Sequence, residues 1–525
     1  MSGVSDVTTE GTASVATGTV DPAGPDHSDY DRHLLLIRRV GFALFAVQLM
    51  VLVAFSTVEY HRYALSVGFG TYTQAWTAIA HGHLNPYSTL IGKPFWRNDA
   101  EFMVWPLAFL YHIYPHPVDL LWVQDVAVVL TELVTFGWVM EVVTRRQRPL
   151  PGRVGPVLAL GTLIALIVDP FAYQTIAYDF HSEVLSALFV VLAARALWSG
   201  RTRQLWWWVP LALATSGLAG LYVLGVGVSG ILSGRRSRRP GGVLVVVGLA
   251  WMVTISLIGG NQFGYSNSLA EWYGYLVGPH HGSVRSFDVL TGALSHPFAA
   301  LHVILSRWVY ILVFLLPVGL VGMASSWGWP VAVMVIVPSA LNANVAFISP
   351  HASFQTWPAL PFVLVGSVMV LARLAEGSPR GRRLAGVAAA TWAASLIVLA
   401  SVLVPDVPRH WLAVGAPTAG QLARVDARTP PDTEVISSWG VVGRFGVRRA
   451  VFAYGPLSKS FPVERRRVLF VLTPDSGSYK VSPATARRAV TRIEALPGAH
   501  TLVAADGVYA VAWTPPSGVR RITLP

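Results

Sequence analysis

The chain contains no cysteine, which excludes disulfide staples, thiolate nucleophiles and cysteine-ligated metals but says nothing about compartment. Charge is also scarce: Asp, Glu, Lys and Arg make up 13% of the 525 residues, against 53% hydrophobic ones. Runs such as 40–58 carry no ionisable side chain over a length sufficient to cross a hydrocarbon core of about 30 Å. The composition therefore describes a polytopic membrane protein. Its start lacks the basic segment and short apolar core of a cleavable signal peptide, so residues 1–34 are expected to form a disordered cytoplasmic tail. The net charge of +12 forms no single basic recognition element, and nucleic acid is not an expected partner.

What charge there is falls in clusters. Arg38/Arg39, Arg145/Arg146/Arg148/Arg153, Arg201/Arg203, Arg235/Arg236/Arg238/Arg239 and Arg380/Arg382/Arg383 punctuate the apolar runs. One threading of about eleven helices puts all five clusters on the cytoplasmic side, with the N-terminus inside. The expected helices lie near 36–58, 118–143, 154–170, 182–198, 204–217, 218–233, 242–259, 306–323, 328–345, 357–375 and 384–404. Residues 204–233 read as two short helices or one long one, and the cluster at 235–239 favours two. The fold expected is an all-α membrane bundle over 35–404 with a small C-terminal α/β soluble domain over 405–525. In that last segment 434–438, 468–472, 501–504 and 508–513 read as strands, and 484–496 has helical periodicity. It carries 16 Lys/Arg against 8 Asp/Glu, which does not bar export, because long domains translocate largely regardless of charge.

On this threading a long first loop (59–117), the segment 179–183, the loop from 260 to about 305 and the turn at His351 all face outside. Within the first loop, 101–115 is apolar and aromatic but too short and too proline-broken to span, as a juxtamembrane helix would be. Trp76, Trp96 and Trp105 fit an interfacial belt. His81 and His83 flank a turn signal, and His280-His281 before Gly282 marks a solvated loop. The most informative stretch is Asp179-Phe180-His181-Ser182-Glu183, three ionisable side chains between two apolar runs. Polar groups at that depth face a cavity, or else Asp179 or Ser182 caps the next helix at the membrane surface. Glu183 shares a helical face with Asp179 if the helix starts there.

Phe69-Gly70-Thr71-Tyr72-Thr73-Gln74-Ala75-Trp76, then Ala80-His81-Gly82, Pro94 to Tyr111, Tyr178 to Glu183 and Ser349-Pro350-His351 resemble successive blocks of the DUF2079 family of bacterial membrane proteins. The similarity covers roughly residues 40–375, and Asp-Phe-His-x-Glu is its most specific block. That family is similar in architecture to GT-C glycosyltransferases, so the resemblance implies sugar transfer from a polyprenyl-phosphate donor on the outer membrane face to a cell-envelope glycan acceptor. Such a reaction needs a base for the acceptor hydroxyl and cations for the departing phosphate.

The candidates for catalysis are Asp99 or Glu101 as base, with Asp179 and His181 orienting substrate or holding a divalent ion. For substrate binding they are Glu183, Gln74, Arg97, Arg285 and His351, the two arginines being suited to phosphate by their planar fork. Two carboxylates and a histidine in one short segment are not a diagnostic metal spacing, so no metal is expected and no cofactor is named. The chain departs from the family pattern at Gly68 and Thr73, where acids are usual, at Asp99-Ala100 in place of Asp-His, and at Thr215-Ser216-Gly217 in place of an acidic motif. These departures sustain an alternative, a catalytically degenerate relative that binds lipid-linked glycan or assists another enzyme. A transporter is the third reading, hinted at by Gln124 and Glu132 in the second helix.

Overall fold

A computed structural model describes residues 27–145, 150, 153–258, 268–278, 286–407, 409, 413–455, 459–476 and 481–525. The chain enters the bundle through α1 (His27–His61). A long excursion follows, made of α2 (Val67–Ala80), a short hairpin of β1 (Tyr87–Ser88) and β2 (Lys93–Pro94), and the small helices α3 (Trp96–Asp99) and α4 (Val104–Ala108). α4 runs on into a 3-10 turn at Phe109–His112, so the apolar 101–115 segment is helical in pieces and does not span.

The bundle continues with α5 (Val118–Thr144), α6 (Val154–Ile167), α7 (Pro170–Ile176), α8 (Ser182–Ser199), α9 (Thr202–Thr215), α10 (Ala219–Ser233) and α11 (Arg235–Ile258). Residues 204–233 are thus two helices, separated at Ser216-Gly217. Next come α12 (Ser268–Val277), α13 (Ser286–Ser295), α14 (Pro297–Ser306) and α15 (Trp308–Leu315). α16 (Trp329–Leu341), α17 (Leu360–Glu376) and α18 (Pro379–Leu403) complete it. Among the described residues seven helices are long and apolar enough to cross a membrane, and α13–α14, bent by 95°, would be an eighth if it is one span.

Two segments differ from expectation. The stretch 306–323 is not a continuous helix: α15 stops before Pro317, and Gly319 takes φ +82°, where a side chain would be strained. The carbonyls freed there are met by Ser367 Oγ of α17, which donates to Val318 O at 2.8 Å and also to Gly319 O. The expected loop before 305 instead holds the bent apolar pair α13–α14.

Burial sorts the helices into centre and rim. The apolar window of Ser353–Glu376 is 78% buried and that of Pro379–Leu403 only 11%, so α17 forms the core with α5 and α8 while α18 faces lipid. α10 and α11 pack closely through glycines: a Cβ on Gly227 would lie 2.7 Å from Val245 N, and one on Gly248 2.7 Å from Gly220 O.

The C-terminal unit holds α19 (Ala416–Arg428), α20 (Pro483–Glu494) and strands β3 (Glu434–Ser438), β4 (Val451–Tyr454), β5 (Ser460–Pro462), β6 (Val468–Leu472), β7 (Ala499–Ala505), β8 (Val508–Trp513) and β9 (Arg521–Thr523). Five strands form one sheet in the order β4-β3-β6-β8-β7, parallel across β4-β3-β6 and antiparallel beyond; β5 and β9 pair separately. This small α/β unit is docked on the excursion after α1, not tethered loosely. Gly443 N donates to Leu65 O at 3.0 Å, and Thr89 Oγ1 donates to Val451 O at 2.7 Å while accepting from Val451 N at 3.1 Å. A Cβ on Gly446 would lie 2.6 Å from Gly70 O, so the two backbones meet with no side chain between them.

Candidate functional site

Two buried polar groupings meet beneath this joint, where α1, α5 and α8 end. The first is organised by Ser66. As the N-cap of α2 its hydroxyl accepts from Gly68 N at 3.3 Å, and its own N–H reaches both carboxylate oxygens of Asp179 at 3.1 Å. Ser66 Oγ donates to the same carboxylate. Asp179 sits in the turn between α7 and α8 with φ +105°, a backbone state costing roughly 1–3 kcal/mol for a residue with a side chain. Gln124 of α5 holds that turn from below: its Nε2 donates to Asp179 O at 2.9 Å, and its Oε1 accepts from His181 N at 2.7 Å. The strained backbone and the carboxylate are therefore fixed by separate partners.

Burial pushes the Asp179 carboxyl up to about 7, against the bonds from Ser66 and from backbone N–H groups that favour its charge. The His181 ring packs on Phe354 with centroids 3.8 Å apart, and Tyr178 lies 5.3 Å away. Its Nε2 is sealed from solvent and has no hydrogen-bond partner among the described residues. Burial pulls the imidazole down to about 3, so at neutral pH it is uncharged.

The second grouping is an acid pair. Glu101 and Glu183 are both buried. Burial first, and then the Glu183 carboxylate, raise the Glu101 carboxyl well above the usual range, while hydrogen bonds from Tyr72 and Ser182 work the other way. Two like charges in one dry site cannot both ionise cheaply, which is why the neighbouring carboxylate adds to the effect of burial on Glu101. Tyr72 links the groupings: its Oη donates to Glu101, its ring meets Phe180 edge-on at 4.9 Å, and His181 lies 6.2 Å away.

A third set of acids lies behind Asp179. Glu59, at the end of α1 and 1% exposed, senses the charges of Asp179 and Asp125, and Ser56 Oγ donates to Asp125 Oδ1 at 3.0 Å. Sequence reasoning missed Glu59, Asp125, Ser66 and Tyr72 as members of the site. The one available signal was the Gln124-Asp125 pair within the apolar run of α5.

Of the residues singled out from sequence, Asp179, His181, Glu101 and Glu183 come together. Glu183 does not share a helical face with Asp179, because α8 starts at Ser182 and Asp179 lies in the preceding turn. Gln74 is placed in the joint between the first loop and the C-terminal unit. Its amide donates to Thr89 Oγ1 (3.0 Å), Arg448 O (3.2 Å) and Arg449 O (3.4 Å), and its Oε1 accepts from Ser88 Oγ (2.7 Å) and Thr89 N (3.0 Å), which leaves nothing for a substrate. Arg97 lies on α3, and Asp99 ends that helix just before Ala100, which is left-handed at φ +51°.

The side chains of Asp99 and His351 lie outside the described residues, as does Arg285 entirely. The 3-10 turn carrying His351 (Pro350–Gln355) also supplies Phe354, so that turn reaches the site. Gln124, a transporter-like hint in the sequence, is committed to the Asp179 turn. Glu132 is buried beside Gln48 and Asp169. Among the described residues no group of three or more His, Asp or Glu is arranged to hold a metal ion.

One cation of the C-terminal unit also reaches this end of the bundle. The Arg444 guanidinium lies 3.7 Å from the Tyr60 ring centroid and 4.7 Å from that of Tyr63, a cation–π strut between the α/β unit and the end of α1.

No curated protein matches the chain. Among solved structures, ArnT from Cupriavidus metallidurans bound to undecaprenyl phosphate is similar over 91% of this chain and 97% of that one, with 13% identity and a TM-score of 0.47. Residues 65–436, more than two thirds of the chain and including Ser66, Tyr72, Glu101, Asp179, His181 and Glu183, match the family described as "Predicted membrane protein (DUF2079)", and the chain belongs to that family.

Proposed function

We propose that the protein is a GT-C-type glycosyltransferase that takes a sugar from a polyprenyl-phosphate donor and passes it to a cell-envelope glycan acceptor. In this reading the side carrying the α/β unit is the outer face of the plasma membrane, and the N-terminus is cytoplasmic. The observation that carries it is the convergence of Asp179, His181, Glu101 and Glu183 beneath a roof built from the first loop and the C-terminal unit. Nothing in a purely structural bundle calls for four buried ionisable groups at one end.

The chemistry asks for a base of raised proton affinity, and burial together with the Glu183 carboxylate raises Glu101 in that direction. The acceptor hydroxyl oxygen attacks the anomeric carbon as the bond to the phosphate oxygen breaks. Its proton passes to the Glu101 carboxylate, and polyprenyl phosphate leaves with the bonding electron pair. Asp179 and neutral His181 orient the sugar, with the buried Nε2 free of any hydrogen bond among the described residues. Asp99 remains the second candidate base, and Arg97, Arg285 and His351 the candidates for the phosphate.

A second reading has its own observation. Where the family usually carries an acid this chain has Gly68, and a Cβ there would lie 3.4 Å from both Asp179 Oδ2 and His181 Cε1. A missing acid at that spot fits a protein that binds lipid-linked glycan without turning it over.

Native mass spectrometry of the detergent-purified protein with a polyprenyl-phosphate sugar, alongside release of polyprenyl phosphate, separates the two. Wild type that binds and releases, beside Glu101→Gln that binds without releasing, supports the enzyme. Binding by both with no release by either supports the degenerate relative. A folded wild type that retains no such lipid sinks both readings.

A further inference from the structure

The opposite end of α8 carries a site that the glycosyltransferase reading does not use. A cavity of about 230 Å³ opens where α8 turns into α9, lined by Arg195, Ser199, Arg201, Gln204, Trp207 and Trp208 among others. Sixteen residues of helix, about 24 Å at 1.5 Å per residue, separate Ser199 from Glu183.

Its charge is lopsided. Arg195 donates to Glu141 through Nη2, and Arg145 also pairs with that carboxylate at 3.5 Å. Arg201 is exposed at the turn and, although it stands at the N-cap of α9, makes no capping bond with its side chain. The Arg236 guanidinium lies over Gly200: a Cβ there would sit 2.7 Å from its Cζ. Gly200 at φ +73° is what lets the turn close beneath that arginine. Two of these arginines, Arg195 and Arg201, line the cavity with no carboxylate among its lining residues, and Arg195 Nε is buried with no hydrogen-bond partner among the described residues.

The walls say which anion fits. Trp207 and Trp208 line the cavity, and Trp207 is 74% exposed on an apolar helix, so the mouth opens toward lipid and not only toward water. Tryptophan beside arginine at a helix end is the chemistry of the headgroup layer.

We propose that this cavity binds the phosphodiester headgroup of an anionic membrane phospholipid, with Arg201 and Arg195 on the phosphate and the acyl chains leaving across Trp207. An arginine fork matches two phosphate oxygens at once. The indole wall has no use for a free inorganic ion.

The test is native mass spectrometry of the full-length protein in detergent with phosphatidylglycerol or phosphatidylcholine of the same acyl chains. Wild type is expected to retain phosphatidylglycerol at least fivefold better, and Arg201→Gln to fall to the phosphatidylcholine level. Trp207→Ala should lose phosphatidylglycerol as well, with circular dichroism showing both variants folded. Equal retention of the two lipids by wild type overturns the proposal, and so does undiminished phosphatidylglycerol binding in Arg201→Gln. Complete displacement by inorganic phosphate, or by polyprenyl phosphate at equal concentration, overturns the choice of a phospholipid. Because the site is far from Glu101 and Asp179, Arg201→Gln should leave retention of a polyprenyl-phosphate sugar unchanged, which keeps this test separate from that of the proposed function.

Discussion

Replacing Gln74 by methionine keeps the length of the side chain and removes every hydrogen bond that it makes. In the folded protein Gln74 is 7% exposed and joins Ser88 and Thr89 of the first loop to the carbonyls of Arg448 and Arg449. The Thr89 N–H has nowhere else to turn, whereas the Ser88 hydroxyl can rotate. A buried donor left unmet costs about 1–3 kcal/mol, and the two carbonyls add less because each keeps a second lone pair. The joint should therefore weaken by about 3 kcal/mol, a shift of more than a hundredfold in the docking equilibrium at roughly 1.4 kcal/mol per decade. Hydrogen exchange read by mass spectrometry reports this directly. Amides of Gly443 and Val451, whose acceptors are Leu65 O and Thr89 Oγ1, should lose about two decades of protection, while α20 on the far side of the sheet stays unchanged. Unaltered exchange at Gly443 and Val451 would refute the reasoning. An equal rise in α20 would too, because it would mean general destabilisation and not undocking.

Three further outcomes follow from the site. Burial lifts the Asp179 carboxyl from 3.8 to about 7 in the folded state, so its contribution to stability is full below pH 4 and is lost as pH rises through 7. Asp179→Asn should lower the melting temperature throughout and remove that slope in a pH series, and an unchanged slope would place the titration elsewhere. His181 is shifted the opposite way, from 6.5 to about 3; its contribution is present above pH 6.5 and is lost as pH falls toward 3. His181→Phe, which keeps the stack on Phe354, should resist acid better than wild type by thermal unfolding, and equal acid sensitivity would count against a buried neutral imidazole. Gly68→Ala puts a methyl group at van der Waals distance from Asp179 and His181; it should leave the melting temperature alone and cut retention of a polyprenyl-phosphate sugar about tenfold. Full retention would mean that the space above Gly68 is no part of the binding pocket.

The parts of this chain that were legible in its sequence are those whose partners are close in sequence or are simply lipid. Strands β3, β6 and β8 fall on the expected residues, because alternating or continuous apolar runs bounded by turns specify them locally. The division of 204–233 into α9 and α10 was readable from the arginines that follow, since the charge of the next turn constrains how many times the chain has crossed. The break after α15 was not, because what tolerates it is Ser367, some fifty residues away, supplying the hydrogen bonds that the backbone loses.

The same logic governs the site. Asp179, His181, Glu101 and Glu183 stood out as ionisable residues among apolar ones, and sequence alone supplies that contrast. Ser66, Tyr72 and Glu59 did not, because a serine before a helix reads as an ordinary cap and an acid at the end of a long apolar helix reads as its exit into water. Only the fold turns Ser66 toward a carboxylate 113 residues away and buries Glu59 beside Asp179 and Asp125.

Gln74 shows the converse. Its place inside a family-like block of the first loop reads as a substrate contact, yet two of the acceptors of its amide, Arg448 O and Arg449 O, belong to a segment beyond residue 436, outside the family match, and Ser88 and Thr89 take the rest. A family-typical polar residue can thus be fixed by architecture and not by chemistry. The distinction is testable without any substrate, because an architectural residue moves exchange protection at the joint whereas a binding residue does not.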